Sequence, residues 1–321
     1  MAVSLADAKL KVQDDLQAGV IDEFRKSNWI LDHILFDDCV APTGNGAAAT
    51  YSYLRLYSQP TASFRQVNNE YESAEVTRSK ITTDVKIFGG SYKIDRIIAD
   101  LGGAVDEIQL QQSQKIKAAQ ALFNDTFING DVSTSPNAFD GIEKAVRRAS
   151  TAYNGGSDDA PIDLSTSAAV TENYMAFLDI LDEFLMGIDG TPSCLLGNTR
   201  MIAKLRACAR RASMYQTSVD DFGQQIETYA GIPLVDMKTK SGSNDPVIDT
   251  DETTGTTNLY AVRLGLDGVH AVSYQGASPI RCWLPDFSTA GAVKIGEVEM
   301  SAALAIKTSK AVGAFRKIKV K

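Results

Sequence analysis

The sequence predicts an α+β protein built from two intertwined domains. Three observations indicate this fold class: one long helical pattern at 104–129, strand patterns on both sides of it, and a return to helical spacing after Thr166. Helical and strand patterns together indicate an α+β architecture. At 321 residues the chain is longer than a typical single domain. We therefore interpret the later elements as a second domain, inserted between the long helix and the terminal strands.

The first forty residues are predicted to form an arm that packs on something else. Ser4 can cap a helix that runs to about Gln17, and Gly19 interrupts it. A second amphipathic stretch then carries Ile21, Phe24 and an apolar cluster at 29–35. Such short apolar segments need cover from elsewhere in an assembly.

The next segment, 41–86, is predicted to be a long extended loop made of two strands. A Gly-rich turn precedes an alternating pattern at 50–57, and the return segment at 73–88 is rich in Val, Ile and Thr. Between the strands lies a polar tip at 59–71. Two strands with little apolar content are marginal alone in water, and their open edges invite aggregation. We expect neighbouring subunits to cover them.

A long straight helix is predicted over 104–129, because its apolar residues fall on one face with Gln112 as the polar exception. These residues are Val105, Ile108, Ile116, Ala119, Phe123 and Phe127. The helix would extend about 39 Å at about 1.5 Å per residue. Asn129 and Gly130 supply a helix stop. Ile87–Asp100 before it is predicted to form paired strands, and a short second helix follows the Asn-Gly-Asp turn.

The second domain is predicted to open with an amphipathic helix that follows Thr166 and ends at Gly187. Its apolar positions are Tyr174, Phe177, Leu178, Leu181 and Leu185. A buried strand at 192–198 leads to another helix, capped by Asn198 or Thr199. The inward residues of that helix are Met201, Ile202, Leu205 and Cys208. Short strands are predicted at 231–237, 258–265, 269–276, 280–285, 294–300 and 303–320, and the terminal strands return to the first domain.

The composition excludes several classes of function. Lys and Arg number 32 against 40 Asp and Glu, a net charge of −8, which is the opposite of the basic balance that drives tight nucleic-acid binding. Apolar runs such as 29–36 are interrupted by charge well short of the roughly 20 residues of a membrane span. The first fifteen residues show no apolar segment of a secretory signal. We expect a soluble protein that is made in a cytoplasm.

No catalytic, cofactor-binding or metal-ligating residue is assigned. The segment Gly44–Ala49 has the spacing of a dinucleotide fingerprint, but a strand follows it where a helix is required. The acidic loop with Asp249, Asp251 and Glu252 departs from a calcium loop in the position of its glycine and in its last ligand, so we interpret it as a solvated loop. His33 and His270 are too few for a histidine cluster. The cysteines are predicted to be buried reduced thiols without a zinc spacing: Cys39, Cys194, Cys208 and Cys282.

The strongest local charge cluster is the basic helix that begins near residue 199. Its cations are Arg200, Lys204, Arg206, Arg210 and Arg211. A solvated helix face, an acidic neighbour and nucleic-acid contact are the three interpretations. Where copies of such a helix gather around a ring, acidic partners would be needed, and Asp220, Asp221 or Glu227 can serve.

The order of these elements resembles the major capsid proteins of tailed bacteriophages and their relatives, the bacterial encapsulin shells. The resemblance rests on Ile87–Asp100, on the long helix after Gly102 and Gly103, and on Phe127–Val146, which looks like the family's end-of-spine signature. It implies an HK97-like capsid fold. The implied divisions are an N-terminal arm at 1–40, an extended loop (E-loop) at 41–86, a peripheral domain at 87–164 with spine helix 104–129, an axial domain at 165–285, and C-terminal strands at 286–321 that return to the peripheral domain.

The resemblance implies a structural function: many copies, as pentamers and hexamers, form an icosahedral head shell around double-stranded DNA without sequence-specific binding. It implies assembly in the host cytoplasm and location in the virion. Portal and decoration proteins are implied partners, and a separate scaffolding protein is expected because only about forty residues precede the loop. Some relatives crosslink a loop lysine, but residues 51–79 contain none, so a noncovalent shell is expected.

Two alternatives remain at this point. An encapsulin shell would bind a cargo tail in an apolar groove for which Ile21, Phe24 and Trp29 are candidates, although the long extended loop favours a phage. An α+β enzyme would need converging acid, base or nucleophile groups, and none can be assembled from the sequence.

Overall fold

The computed structural model describes residues 29–40, 50–71, 73, 75–101, 106–147, 149–155, 161–214, 216–219, 225–274 and 279–321. Several sequence predictions lie outside these residues: the first arm helix, Ile21 and Phe24, Gly44–Ala49, and Asp220 with Asp221.

The described residues form both helices and strands, as predicted for an α+β protein. The helices are α1 Trp29–His33, α2 Arg96–Asp100, α3 Glu107–Asn129, α4 Ile142–Val146, α5 Ser167–Met186 and α6 Thr199–Arg211, and Ser309–Ala311 is a 3₁₀ turn. The first strands are β1 Phe36–Val40, β2 Thr50–Leu56, β3 Arg78–Asp84, β4 Lys86–Asp95, β5 Ala152–Asn154, β6 Ile162–Asp163, β7 Cys194–Gly197 and β8 Gln216–Val219. The remaining strands are β9 Gln225–Tyr229, β10 Ile232–Asp236, β11 Thr256–Val262, β12 Val269–Tyr274, β13 Ile280–Trp283, β14 Val293–Ile306 and β15 Val312–Lys319.

A five-stranded sheet is organised around β14. Its order is β1-β12-β14-β13, and β4 also pairs with β14. The fourteen residues of β14 bond to β4 with their first part and to β12 with their last. The predicted strand 294–300 and the first residues of the predicted strand 303–320 are therefore one continuous strand, and the rest of 303–320 forms a 3₁₀ turn and β15.

The prediction of paired strands over Ile87–Asp100 is wrong for its last five residues. The strand β4 ends at Asp95 and the helix α2 begins at Arg96. Asp95 Oδ1 accepts a hydrogen bond from the Ile97 amide at 2.9 Å, and such a side-chain cap starts a helix even where Ile residues favour a strand. The partner of β4 is the distant strand β14 and not a local hairpin.

An eight-stranded sheet has the order β5-β15-β11-β7-β10-β9-β8, with β6 also on β15. The C-terminal strand β15 pairs with β11, β5 and β6. Of the two terminal strands, β14 thus lies beside β4, but β15 does not return to that sheet. Strands β12 and β13 lie within the range predicted for the axial domain, yet they pair with β14.

The spine helix α3 begins at Glu107, three residues later than predicted. Asp106 has an extended backbone, and its carboxylate accepts hydrogen bonds from the Ile108 and Gln109 amides at 2.9 and 3.4 Å. Of the predicted stripe, Ala119, Phe123 and Phe127 are buried, Ile108 and Ile116 are half-buried, and Val105 lies outside the described residues. The helix ends at Asn129, as predicted, and its 23 residues extend about 35 Å.

One hydrophobic cluster joins the two sheets. Leu196 and Tyr260 from the eight-stranded sheet pack with Phe123 of α3 and Met300 of β14. A second cluster lies on the opposite face of the eight-stranded sheet, where α5 and α6 pack on residues such as Phe315. Alternating side chains of the same strands enter the two clusters, because successive residues of a strand point to opposite faces. The eight-stranded sheet thus packs against a hydrophobic cluster on each of its faces.

Both predicted helices of the second part are present. Thr166 Oγ1 accepts from the Ala169 amide and Asn198 Oδ1 from the Met201 amide, so the two side chains cap α5 and α6. All four predicted inward residues of α6 are buried. On α5, Phe184 replaces Leu185 as a fully buried residue.

Candidate assembly surfaces

The base of the β2–β3 hairpin is fixed to the end of β14. Tyr51, Tyr53 and Arg55 alternate along β2 and face the body of the protein. The Tyr53 hydroxyl donates to the Ile306 carbonyl at 2.6 Å, and Arg55 Nε donates to the Lys307 carbonyl at 3.0 Å. Burial raises the pKa of the Tyr53 phenol above its ordinary value. These bonds to the end of β14 therefore fix the direction in which the hairpin projects from the rest of the protein.

The side chain of His270 lies directly beneath this hairpin base. It is fully buried in β12, and the Tyr51 ring meets it edge-on with 5.7 Å between ring centroids. Asp37 Oδ2 lies 3.9 Å from Nε2, and the backbone of Gly265 also interacts with the ring. Burial lowers the pKa of His270, with Lys307 adding to the effect and Asp37 opposing it. The imidazole is therefore held neutral.

Acidification should destabilise the protein through His270. Because the pKa of the folded-state imidazole is lowered, the unfolded chain binds the proton more readily, and stability should fall as pH drops through the ordinary value of about 6.5. The variant His270→Phe should lose this part of the pH dependence of the melting temperature between about pH 8 and pH 5.5. His33→Gln is the control and should keep the wild-type slope. Equal slopes for wild type and His270→Phe would refute the assignment.

The hairpin tip exposes apolar side chains with no cover from the described residues. Phe64 and Val67 are 107% and 87% exposed. The other large apolar side chains exposed on the hairpin are Leu54, Leu56, Tyr57, Tyr71 and Val76. The Arg65 guanidinium lies over the Tyr71 ring at 5.3 Å and donates to the Asn69 carbonyl at 3.2 Å. So many exposed apolar side chains on one hairpin, with two at a tip predicted to be polar, indicate an interaction site.

The turn after the spine helix requires two glycines. A Cβ on Gly130 would lie 2.2 Å from the Phe139 carbonyl oxygen, and one on Gly141 would lie 2.5 Å from the Thr126 carbonyl oxygen. The Gly141 amide donates to the Gly130 carbonyl at 2.8 Å. The backbone segments around Gly130 and Gly141 therefore lie too close together for a side chain at either position.

Asp131 holds this turn together electrostatically. Its carboxylate lies 2.8 Å from Lys144 Nζ and accepts from the Ser133 amide at 3.0 Å. Arg147 lies 3.6 Å away, and Asp140 shares the Lys144 ammonium at 2.7 Å. The hydrogen bond from Lys144, followed by those from Ser133, lowers the pKa of Asp131 well below its usual range.

Asp131→Asn should cost stability at pH 7, and this cost should shrink as pH falls from about 4 to about 2. A lowered folded-state pKa gives stabilisation that is fully present above the unfolded value of about 3.9 and is lost as pH falls through the folded value. Thermal unfolding of both proteins at pH 7 and at about pH 2 measures the difference. The exposed Asp245→Asn serves as the matched control and should change neither melting temperature. If Asp131→Asn lowered the melting temperature by the same amount at both pH values, the charge of Asp131 would not be what stabilises the turn.

The basic helix meets one of its three predicted acidic partners within the same chain. Arg206 forms an ion pair with Glu227 of β9. Arg211 donates from Nε to Thr171 Oγ1 at 3.1 Å, and Lys204 Nζ donates to the Ser165 carbonyl at 2.5 Å. Part of the cluster thus binds to neighbouring elements rather than to solvent alone.

The other residues discussed from the sequence do not converge in the structure. Cys194 and Cys208 are buried, and burial raises the pKa of the Cys208 thiol to about 11. Cys282 is exposed on the edge strand β13, so the prediction that it is buried is wrong. Nothing is described for the side chain of Cys39. Within the described ranges, no group of three His, Cys, Asp or Glu side chains is placed to hold a metal ion.

The acidic loop forms its own turn. Asp251 Oδ1 accepts from the Thr253 and Thr254 amides at 2.7 and 3.1 Å, and these bonds lower the pKa of Asp251. Asp249 and Glu252 lie 3.2 and 2.9 Å from Lys240 and Lys321. Within the part of the chain that is described, no helix is both long and apolar enough to cross a membrane.

Sequence reasoning missed the hairpin anchor and the buried His270 beneath it. The alternation of Tyr51, Tyr53 and Arg55 was a usable signal, since it places three long side chains on one face of the strand. For His270 the flanking apolar residues of 269–272 indicate a buried strand. Its position under Tyr51 follows only from pairing across more than two hundred residues.

The chain is similar to known shell proteins in sequence and structure. Residues 13–160 match the sequence model of a family described as major capsid protein GP7. No curated protein matches the chain in sequence. The SrpI encapsulin complex of Synechococcus elongatus PCC 7942 contains a chain that is 16% identical, with 100% of this chain and 98% of that chain covered and a TM-score of 0.65.

Two phage structures show the same likeness over nearly full length. The capsid of Myoviridae phage XM1 is 11% identical, with 94% of this chain and 96% of that chain covered and a TM-score of 0.59. A chain from Microbacterium phage Oxtober96 is 14% identical, with 98% and 99% covered and a TM-score of 0.57. At these identities the likeness shows the fold, and the predicted HK97-like α+β fold is confirmed.

Proposed function

We propose that this chain is a major capsid protein of a tailed phage, whose copies assemble into the icosahedral shell of the head. The match of 13–160 to a major capsid protein family, together with capsid structures of the same fold, supports a shell-forming protein. The encapsulin likeness does not support the alternative better. The order of elements along the sequence, which resembles that of tailed-phage major capsid proteins, supports the same proposal.

The observation that carries the proposal is the β2–β3 hairpin. Its base is anchored to β14 by Tyr53 and Arg55, whereas Phe64 and Val67 at its tip are exposed. A hairpin of two strands is marginal unless another surface covers it. An anchored base with an uncovered apolar tip fits a segment that lies over a second copy of the chain.

We assign roles to the segments of the chain in the same terms. Residues 1–40 would reach neighbouring copies as an arm, and 41–86 would lie over an adjacent subunit. The spine 104–129 would support the peripheral domain 87–164, and the inserted part, 165–285, would face the ring axis. Within residues 286–321, β14 would complete the sheet of the peripheral domain beside β4, and β15 would join the sheet of the inserted part beside β11.

A head shell would also involve other proteins as partners. A separate scaffolding protein would guide closure, a portal protein would occupy one vertex, and a decoration protein would bind outside. The shell would enclose double-stranded DNA without reading its sequence, which agrees with the net charge of −8. Assembly would take place in the host cytoplasm and the product would reside in the virion. We propose no catalytic role and no cofactor.

Negative-stain electron microscopy of the purified chain tests the proposal, with and without the proteins encoded beside it. Closed polyhedral shells, or hexamers and pentamers that close when a scaffold is added, are expected. Particles of uniformly fewer than about six subunits under all conditions would overturn it and favour an α+β enzyme.

The content of the shells separates the two kinds of shell protein. A phage capsid protein should need a scaffold and leave empty or DNA-filled shells. An encapsulin would close alone around a protein cargo. Discrete cargo protein inside shells formed by the chain alone would therefore favour the encapsulin alternative, for which the TM-score of 0.65 is the supporting observation.

The shell should be noncovalent. Residues 51–79 contain no lysine, so the hairpin tip has no amine to form an isopeptide bond with another subunit. Purified shells boiled in sodium dodecyl sulfate should migrate as a single band at 34.6 kDa. Ladders of linked chains under reducing conditions would contradict this expectation, and an equal sample of unassembled chain provides the reference.

A further inference from the structure

The outward face of α5 is acidic and carries exposed methionines. Glu172, Met175, Asp179, Glu183 and Met186 recur at helical spacing on the side opposite the buried residues of this helix. Met175 and Met186 are 64% and 88% exposed. The helix contains no basic residue. Two flexible apolar side chains between carboxylates form a surface suited to a protein partner.

The outward face of α6 has the opposite charge. Arg200, Ala203, Arg206 and Arg210 lie exposed on the side away from its buried residues, and the helix contains no carboxylate. Ala203 leaves a shallow space between the long arginine side chains. Both helices pack on the same face of the eight-stranded sheet, in contact with each other through Arg211. One protein surface thus presents an acidic helix beside a basic one.

These charges are only partly neutralised within the chain. Arg206 is paired with Glu227, and Asp182 of α5 accepts from the Tyr229 hydroxyl at 2.8 Å. Among the described residues, no ion pair involves Arg210, Glu172, Asp179 or Glu183, and Arg200 interacts only at longer range with Glu252. From Glu172 to Glu183 is about 16 Å along α5, and from Arg200 to Arg210 is about 15 Å along α6. The acidic and basic sets therefore have similar lengths and opposite charges.

We propose that the acidic methionine face of α5 docks on the basic face of α6 of a second copy of this chain. The proposal rests on the self-assembly put forward above and names one of its contacts. A second copy is the occupant because it supplies the complementary charge over a similar length. Where Glu172 lies opposite Arg200, docking would also bury Met175 against Ala203, so that apolar contact adds to electrostatic complementarity.

A matched charge exchange tests the contact. The acidic-face variant carries Glu172→Arg and Glu183→Arg, the basic-face variant carries Arg200→Glu and Arg210→Glu, and the exchange variant carries all four substitutions. Each two-residue variant should place like charges opposite each other and reduce assembled material, measured by sedimentation velocity, at least about tenfold. The exchange variant keeps the net charge of −8 and should restore assembly.

Two further measurements separate the possible failures. Far-ultraviolet circular dichroism and melting of the unassembled variants establish that they fold. The control variant Asp100→Arg with Asp245→Arg raises the net charge by the same amount as the acidic-face variant, at positions on neither face, and should still assemble. Normal assembly of both two-residue variants, or no recovery in the exchange variant, would overturn this contact. If wild type itself forms no large assembly with or without scaffold, the proposed function fails instead.

Discussion

Replacing Phe123 with alanine should lower the free energy of unfolding of the unassembled chain by about 3–5 kcal/mol. Phe123 is fully buried in the middle of α3, and its ring centroid lies 5.7 Å from that of Phe139 and 6.2 Å from that of Phe127. The ring of Phe36 in β1 lies 6.3 Å away. Removing the side chain would leave a cavity between the spine helix, the glycine turn and the first strand of the five-stranded sheet.

Guanidinium-induced unfolding, monitored by tryptophan fluorescence, measures this loss. One of the two tryptophans, Trp29, packs against the cluster that contains Phe123. The neighbouring Leu122→Ala is the matched control, because Leu122 is 37% exposed on the same helix and should lose no more than about 1 kcal/mol. Similar losses at the two positions would mean that α3 does not bury the predicted stripe.

Substituting Phe64→Asp together with Val67→Asp should prevent closed shells while the unassembled chain keeps its unfolding free energy within about 0.5 kcal/mol. Both side chains are exposed in the single chain, so folding does not depend on them. In a shell they would be buried against another copy, where an unpaired carboxylate is costly. Electron microscopy counts the shells, and chemical denaturation measures the stability.

The variant Ser63→Asp with Gln66→Asp adds the same charge at exposed polar positions of the same tip. This control variant should still form shells, although they should form more slowly if charge repulsion contributes. If it blocks closure equally, repulsion rather than apolar contact explains the defect. If the Phe64 and Val67 variant forms normal shells, the tip is not part of an interface.

The helices of the inserted part were predictable because their signals are local. Thr166 and Asn198 are caps, and the apolar spacing that follows each of them is regular over many residues. The spine helix was predictable for the same reason, apart from its first turn, where Asp106 decides the start. Local chemistry thus specified where the long helices lie.

The pairing of strands was less predictable. In β15, Phe315 and its neighbours alternate as a strand, but alternation does not say that β11 rather than β4 is the partner. Arg96–Asp100 has the composition of a strand, and the cap at Asp95 overrides it. The hairpin anchor depends on carbonyls of Ile306 and Lys307, which any residue type would present. Sequence therefore predicts the hairpin but not what holds its base.

The position of that anchor determines how the protein would carry a mechanical load. A neighbour that pulls on the hairpin pulls, through Tyr53 and Arg55, on the carbonyl groups at the end of β14. Strand β14 is joined side by side to β4 along ten residue pairs, so tension along its axis shears many hydrogen bonds at once. Shearing bonds together resists force far better than opening them one after another. Internal pressure would therefore load β14 along its length, where its bonds to the neighbouring strands resist together.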